Sequence, residues 1–521
     1  MTSSSSTVTS ASTLPSSSST TISSTDISSS TTTSSAPTSS STASSSGSDK
    51  YVVAHHMVGN TYPYTVDTWA ADIALAYANG IDGFALNIGS DDWQPARVAD
   101  AYTAASQSGT LFKLFLSFDM SALPCTTADH AATLRTYITT YASHPNQLIY
   151  RNRVFASTFS GESCTFGQGS VVDGWSSQFT SHPDLTGQNA VFFVPSFFVD
   201  PATFGTYDNV MDGALNWNSA WPISVTTSTA SSVLSSIGAS LSALSSLVTG
   251  DGTARVSSAI QDALASLLNE TSTSDSQYIS GLNSMSAPSD GGDRIYVATA
   301  SPWFYTHYSP ETFNKNFVYY TDSHLYPTRW ESLVASRDQV DIVEIVTWND
   351  YGESHYIGPI EGDQPNSQAW VDGFDHTGWL DMTRYYAEAF KTGTYPTITE
   401  DKIYMWSRPH PKDASASNDS VDKPANFDMS ADTLWAVIMA TSASTVTLST
   451  SSTNSQTFSV PSGVSKLSIP ISAGDTMHGT IERDGVSVVD LQPEGFMFQG
   501  SPETYNYNAF VAFKGAGTGG S

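Results

Sequence analysis

Basic side chains are scarce in this 521-residue sequence: 20 Lys and Arg stand against 49 Asp and Glu, and the formal net charge is −29 at pH 7. Such an acidic surface repels phosphate backbones, so we expect no nucleic-acid partner. Charged residues of both signs make up only 13% of the chain, while aromatic residues make up 12%. That balance, together with abundant Ser and Thr, is typical of a secreted protein that handles sugars.

Long apolar runs are also missing. No run approaches the roughly 20 residues that a membrane-spanning helix needs, so we expect no membrane span. Met1 leads directly into Ser and Thr instead of an apolar signal segment. If the protein is secreted, we expect its signal peptide to be trimmed or replaced.

The chain has only two cysteines, Cys125 and Cys164, and each follows a predicted strand. In a secreted protein we expect them to form a disulfide that joins two neighbouring loops. Two free, buried thiols are the alternative.

The chain divides into three regions that differ in composition and in hydrophobic pattern. Residues 1–49 are dominated by Ser and Thr, which fill 36 of the first 50 positions, and they predict a disordered, O-glycosylated stalk without a core. Residues 50–394 alternate between strand and helix patterns, interrupted at 224–275 by a Ser/Thr/Ala-rich segment that predicts an inserted helical hairpin. Residues 395–521 contain short alternating strands that predict an accessory β-sandwich domain.

The middle region predicts an α/β fold, a (β/α)8 TIM barrel, because eight strands alternate with helices. A doubly wound open sheet is the alternative, but the first strand lacks the usual Gly-rich phosphate turn. The predicted barrel strands are 52–58, 81–87, 112–118, 154–159, 190–197, 209–215, 294–300 and 341–347.

In segment 340–355, a strand whose composition is typical of a buried parallel sheet leads into a cluster of reactive side chains. β-branched apolar residues lead into Trp348-Asn349-Asp350-Tyr351-Gly352-Glu353-Ser354-His355. Active sites of barrels lie at the C-terminal ends of the strands. Two carboxylates in such a loop indicate cleavage of glycosidic bonds, which needs a proton donor and a second carboxylate. Alternatively, one carboxylate caps a helix and the other is a solvated loop charge.

We predict Glu353 as the general acid and Asp350 as the general base, because the longer side chain can reach a glycosidic oxygen; the reversed assignment stays open. Residues three apart on an extended loop can reach the separation of about 6.5–9.5 Å that inverting enzymes use. Repulsion by Asp350 and desolvation by Trp348 and Tyr351 should raise the pKa of Glu353 above that of Asp350. We expect a bell-shaped rate profile with an optimum at about pH 4–6.

Polar and aromatic residues follow nearly every predicted barrel strand. Tryptophans there suit stacking on sugar rings, and the other side chains suit hydrogen bonds to hydroxyls, although burial at a core edge is an alternative for each. The pair His55-His56 has no further ligand at a recognisable spacing, so we expect no metal and no cofactor. The predicted substrate-binding residues are His55, His56, Asn87, Asp119, Glu162, Trp217, Trp303, Tyr305, His307, Trp348, Asn349 and His355.

At these positions the sequence resembles glycoside hydrolase family 71, the fungal α-1,3-glucanases or mutanases. The resemblance implies inverting endo-hydrolysis of α-1,3-glucan, with Asp350 and Glu353 as the catalytic pair. The insertion at 224–275 departs from the family pattern and puts the shape of the cleft in doubt. The matching segments are 53–60, 80–87, 113–119, 157–162, 301–307, 327–330 and 348–354.

The sequence thus predicts a secreted, monomeric hydrolase of α-1,3-glucan. If its stalk serves as an anchor, we expect the protein to be associated with the cell wall. A wall-glucan-binding protein without catalysis is one alternative. A hydrolase of another α-glycan, such as mannan, is the other.

Overall fold

The computed structural model describes residues 50–236, 239, 258–288, 290–362, 364 and 366–517. The predicted stalk and the middle of the predicted helical hairpin lie outside these residues. Among the described helices, none is both long enough and apolar enough to cross a membrane.

The strands of the first part of the chain are β1 (Tyr51–Met57), β2 (Gly83–Ile88), β3 (Lys113–Asp119), β4 (Ile149–Tyr150), β5 (Arg153–Phe159), β6 (Val191–Ser196), β7 (Gly213–Asn216), β8 (Ile295–Ala300), β9 (Tyr305–His307), β10 (Asn316–Val318) and β11 (Ile342–Ile345). The eight strands that the alternation predicts are all among them. The antiparallel pair β9–β10 and the short β4 have no counterpart in the sequence-based prediction.

Eight strands form one parallel sheet in the order β6-β5-β3-β2-β1-β11-β8-β7, and β4 is antiparallel to β5. The two edges of the sheet lie close together. Asp212, just before β7, donates its backbone N–H to Phe193 O of β6 at 2.8 Å. The sheet is therefore curled, and the fold is mixed α/β. All eight strands end at the same edge, which collects the loops that follow them.

The curled sheet is apolar on both faces, as a parallel sheet that is covered on both faces must be. One face buries a compact inner cluster, and the other packs under the helices. The described α-helices are Val66–Ala78, Gln94–Gln107, Ala128–Tyr141, Val171–Trp175, Thr227–Ser236, Ser258–Ser284, Leu325–Ala335, Gln368–Val371 and Thr377–Thr392.

Local chemistry accounts for where several helices begin. The hydroxyl of Thr65 accepts from the backbone N–H of Thr68, and Thr68 Oγ1 accepts from the Thr65 N–H, so the helix Val66–Ala78 starts in a capping box. Pro95 lies in the first turn of Gln94–Gln107, where its missing N–H costs no hydrogen bond.

The long helix Ser258–Ser284 lies between β7 and β8 in the chain and extends beyond the predicted insertion. It is anchored to the sheet through Asp275, which is buried and accepts from both terminal nitrogens of Arg329. Arg329 also donates from Nε to the carbonyl of Thr299 in β8 at 2.9 Å. The helix is therefore tied to the main core, and not only to the shorter helix Thr227–Ser236.

The remaining strands form two four-stranded antiparallel sheets, β16-β13-β12-β19 and β15-β14-β17-β18, which share one buried apolar core. We call them the C-terminal sheets. The sequence predicts seven of these strands, at 402–406, 434–439, 445–448, 457–460, 466–469, 477–481 and 486–491, and does not predict Phe510–Gly515. Their bounds are β12 (Lys402–Ser407), β13 (Thr433–Ala440), β14 (Ser444–Ser451), β15 (Asn454–Val460), β16 (Gly463–Pro470), β17 (His478–Arg483), β18 (Val486–Leu491) and β19 (Phe510–Gly515).

Candidate active site

The loop after β11 folds back on itself and brings three reactive side chains together. A single turn of 3-10 helix spans Tyr351–Glu353, and Ser354 follows with a left-handed backbone (φ 61°). The chain then returns beside its start, because the N–H of Thr347 donates to His355 O at 2.8 Å. As a result, the side chains of Asp350, Glu353 and His355 meet in one cluster.

Glu353 accepts hydrogen bonds on both carboxylate oxygens. Lys315 Nζ lies 2.6 Å from Oε1, and His355 Nε2 lies 3.1 Å from Oε2. Burial acts to raise the pKa of Glu353, but the hydrogen bond from His355 and the positive charge of Lys315 outweigh it and lower the pKa to about 2. Glu353 is therefore the more readily ionised member of the pair.

Asp350 has the opposite tendency. Burial raises its pKa, the negative charge of Glu353 raises it further, and the charges of His355 and Lys315 only partly oppose this. The Asp350 side chain is 19% exposed, so it can still meet a substrate. The directions of the two pKa shifts are the reverse of those predicted from sequence, because His355 and Lys315 hydrogen-bond to Glu353 and oppose the effect of its burial.

The two carboxylates are close together. One oxygen of Asp350, one oxygen of Glu353 and one ring nitrogen of His355 all lie within 4.8 Å of one another. The longer separation predicted from an extended loop is not found, because the 3-10 turn shortens the path between them. Three such groups can hold a cation, but the ammonium group of Lys315 already occupies Glu353 and repels a second positive charge.

His55 and Trp217 stand beside this cluster. His55 O accepts from the N–H of Trp348 at 2.7 Å, which places the end of β1 against the loop that follows β11. His55 Nδ1 lies 2.7 Å from Glu344 Oε1, while its Nε2 has no hydrogen-bond partner among the described residues. The half-buried ring of Trp217 meets the imidazole of His55 edge-on, with 4.8 Å between centroids.

Three further predicted residues lie at the same edge of the sheet. Asn87 pairs in register with Met57 near the end of β2. Asp119 is the last residue of β3, and its negative charge contributes to the raised pKa of Lys315. Glu162 follows β5 and accepts from the N–H of Phe198 at 3.3 Å.

Comparison with known proteins decides the family. The model of glycosyl hydrolase family 71 matches residues 48–519. The chain belongs to glycosyl hydrolase family 71. Membership confirms the resemblance read from the sequence and makes this chain a glycosidase.

Curated relatives in this family align along nearly the whole chain. A glucan endo-1,3-alpha-glucosidase of Schizosaccharomyces pombe is 38% identical over 467 residues, which are 89% of this chain and 94% of that protein. An ascus wall endo-1,3-alpha-glucanase of the same organism is 30% identical and covers 88% and 96%, respectively. A mutanase of Penicillium rubens is 31% identical and covers 90% of each chain.

Three predicted sugar contacts of this family-71 chain lie in its core. His56 points to the helix side of β1, where it is fully buried, 3.1 Å from Asp72 Oδ2. Trp348 is also fully buried and packs on Phe84 at 5.0 Å between centroids. Asn349 Oδ1 accepts from the N–H of Met57, so its amide holds the end of β1. These positions do not suit contact with substrate, because all three side chains are fully buried.

Trp303, Tyr305 and His307 face the C-terminal part of the chain instead of the cleft. Trp303 Nε1 donates to Tyr507 O at 2.8 Å, and the Tyr305 hydroxyl donates to Tyr505 O at 2.8 Å. The two ring nitrogens of His307 lie 2.8 Å from Asn316 Oδ1 and 3.0 Å from Asp419 Oδ2. The prediction rested on aromatic residues that follow the end of a strand. In the structure, these residues form an interface with the C-terminal part of the chain.

Lys315 is the functional side chain that sequence reasoning missed. It lies in the loop between β9 and β10, strands that were not predicted. The rarity of basic residues could have drawn attention to it, since it is one of only 20 in an acidic chain. Tyr319 was missed as well; burial and then the charge of Glu353 raise its pKa to about 12.

Cys125 and Cys164 form a disulfide, with 5.1 Å between their Cα atoms. The bond joins the loop after β3 to the loop after β5, two strands that pair directly. It thereby constrains the loop edge where Asp119 and Glu162 lie.

Proposed function

We propose that this chain hydrolyses α-1,3-glucan by endo-cleavage, with Asp350 as the general acid and Glu353 as the general base. The observation that carries the proposal is the geometry of the carboxyl pair, because Asp350 and Glu353 lie in one cluster while Lys315 and His355 hydrogen-bond to Glu353. Burial and the charge of Glu353 raise the pKa of Asp350, while the contacts with His355 and Lys315 lower the pKa of Glu353, which agrees with the need of glycosidic cleavage for one protonated and one ionised carboxyl group. The substrate follows from the names of the relatives, each of which is an α-1,3-glucanase or a mutanase.

The hydrogen bonds around Glu353 support its role as a base that orients water. Lys315 and His355 hold both of its oxygens and keep it ionised. Asp350 lies 3.7 Å from His355 Nε2 and forms neither of these hydrogen bonds, so it is the better proton donor for the leaving oxygen. This reverses the assignment favoured by side-chain length alone.

The stereochemical outcome has two candidates. The family resemblance implies inversion, in which water attacks directly. The short distance between the carboxylates favours retention, since retaining enzymes separate them by about 5–5.5 Å and inverting enzymes by about 6.5–9.5 Å. We propose inversion, because Glu353 is held as a hydrogen-bonded base. Proton NMR of the first-formed anomer decides: a β-anomer from an α-linked glucan supports inversion, and an α-anomer makes Glu353 the nucleophile.

The substrate is tested by release of reducing ends from α-1,3-glucan, α-mannan and starch under identical conditions. We expect release from α-1,3-glucan, with a mixture of oligosaccharides as early products. Release of reducing ends from mannan alone would show that the substrate is another α-glycan. Binding to α-1,3-glucan without release would make it a wall-binding protein.

The roles of the carboxylates are tested with Asp350→Ala and Glu353→Ala. Loss of the acid should be rescued by an activated aryl glycoside, whose leaving group needs no proton. Loss of the base should be rescued by azide, which can enter where water attacks. We expect the first rescue in Asp350→Ala and the second in Glu353→Ala; the opposite pattern reverses the roles.

We further propose that the curled sheet is a closed (β/α)8 barrel of residues 50–394, with the C-terminal sheets as a β-sandwich domain of 395–521. The hydrogen bond from Asp212 N to Phe193 O supports closure at the remaining seam. We propose an extracellular, wall-associated location and a monomeric state. The ascus-wall relative supports that location.

A further inference from the structure

We propose that a pocket beside the catalytic cleft is an additional sugar-binding subsite, which holds glucan units distant from the cleaved bond. The pocket has a volume of about 510 Å³ and lies between the helix Ser258–Ser284 and the residues that follow β6 and β7. That volume falls within the range of about 300–1,000 Å³ typical of ligand sites. The inference rests on the proposed function, because it extends the same cleft.

The position of the pocket suits a chain that also reaches the catalytic pair. Asn216 and Asn218 line it from the end of β7, and Phe198 lines it from the end of β6. β7 is two strands from β11 in the sheet, which is about 10 Å at the usual strand spacing. Trp217 lies between these lining residues in sequence and meets His55 beside the catalytic loop. One glucan chain can therefore pass from the carboxylates over Trp217 into the pocket.

The chemistry of the lining suits a neutral, hydroxyl-rich ligand. Asn216 is completely buried; its Nδ2 donates to Ser274 Oγ and Tyr296 OH, but its Oδ1 has no hydrogen-bond partner within the described part of the chain. A buried acceptor without a partner is costly, and a sugar hydroxyl can supply the missing donor. The described lining contains no Lys or Arg, and Glu270 adds a negative charge, so an anionic ligand is disfavoured.

An aromatic surface and exposed amides complete the site. The Phe198 side chain is 37% exposed, and its ring packs on Phe159, which in turn contacts Trp217. Gln277 is exposed on the helix wall and offers both a donor and an acceptor. Ring face and amide groups together match the apolar face and the hydroxyls of a pyranose.

The helix wall is fixed in place before any ligand arrives. Asp275 is bound by Arg329 and by the hydroxyl of Tyr296, which donates to it at 2.5 Å. Glu270 accepts from the N–H of Ser224 at 2.8 Å, which ties the helix to the opposite wall. A preformed wall loses little conformational entropy on binding.

The test compares Gln277→Ala and Phe198→Ala with wild type on α-1,3-gluco-oligosaccharides of increasing length. Asn283→Ala is the matched control, because Asn283 is an exposed amide on the same helix but does not line the pocket. For each enzyme, kcat/KM is measured from the trisaccharide to the octasaccharide, together with the lengths of the products. We expect the ratio of kcat/KM for long over short substrates to fall about fivefold in each pocket variant, as the loss of one hydrogen bond or contact predicts. Asn283→Ala should keep the wild-type ratio.

A length-independent effect, or no effect, in both pocket variants overturns the subsite while wild-type hydrolysis leaves the proposed function standing. If wild type itself does not cleave α-1,3-linked oligosaccharides, the proposed function fails, and this subsite fails with it. Failure of the subsite is therefore seen in the pocket variants, whereas failure of the proposed function is seen in the wild type.

Discussion

At the scale of single residues, the ammonium group of Lys315 favours the ionised form of Glu353, together with the hydrogen bond from His355. It lies 2.6 Å from Glu353 Oε1, and the Lys315 side chain is 51% exposed. A charge this close still acts strongly, because Glu353 itself is shielded from bulk water. Replacing Lys315 should therefore change the chemistry of the cleft more than its stability.

The first prediction concerns the pH dependence of Lys315→Met. The base must be ionised, so activity is lost as the pH falls through the pKa of Glu353; the acid must be protonated, so activity is lost as the pH rises through the raised pKa of Asp350. Without Lys315 the pKa of Glu353 should rise, and the acidic limb of kcat/KM should move up by about one pH unit. Lys315→Arg should keep the wild-type limb. An acidic limb that stays in place in Lys315→Met contradicts the role given to this side chain.

The second prediction concerns Gly352, between the two carboxylates. A Cβ at this position would overlap the hydroxyl of Tyr308, so the 3-10 turn would have to move. We expect Gly352→Ala to lower kcat about a hundredfold, since small displacements of catalytic groups are costly. Gly205→Ala is the control, because nothing lies within 4 Å of a Cβ there. Steady-state kinetics at matched folding, judged by circular dichroism, gives the answer; near-normal kcat in Gly352→Ala would show that the turn tolerates the shift.

At the scale of elements, the helix Ser258–Ser284 depends on one buried ion pair. Arg329 is 1% exposed and forms two hydrogen bonds with Asp275, while it also donates to Thr299 O and Ser219 Oγ. The pair holds the helix against β8 and forms one wall of the proposed subsite.

The third prediction is that Arg329→Leu destabilises the protein by about 3–5 kcal/mol, because Asp275 is left buried without its partner. Urea unfolding at neutral pH measures the change. The double variant Arg329→Leu/Asp275→Leu should recover a large part of that loss, since no unpaired charge remains. A double variant that is less stable than Arg329→Leu would show that the ion pair is not the source of the loss.

At the scale of the whole molecule, the C-terminal sheets share a core with the curled sheet. The tryptophans Trp379 and Trp406, one from each part, meet with 5.9 Å between ring centroids. The buried His376 donates to Ala509 O at 3.0 Å, next to the bond from Trp303 to Tyr507. Separation of the two parts would expose these rings and leave their polar groups without partners.

The fourth prediction is therefore that a fragment of residues 50–394 does not fold on its own. We expect it to be insoluble or to lose its near-ultraviolet circular dichroism and its cooperative unfolding, because buried polar groups and apolar surface become exposed together. Co-expression with residues 395–521 should restore soluble protein. A soluble, cooperatively folded 50–394 fragment would show that the C-terminal sheets are dispensable.

The sequence alone determined the eight strands of the curled sheet and placed Asp350 and Glu353 in the loop after one of them, because these features depend on residues close together in the chain. Alternating apolar patterns and strand ends are local signals, and the tertiary structure left them unchanged. The tertiary structure alone decided which carboxylate ionises more readily: Lys315, one of the two groups that hydrogen-bond to Glu353, is 38 residues from it in the chain, in a loop without a local signal. It also assigned Trp303 to an interface with Tyr507, 204 residues away. The pKa of a carboxyl and the exposure of a ring depend on whichever groups surround them in space, and distant parts of the chain supply those groups.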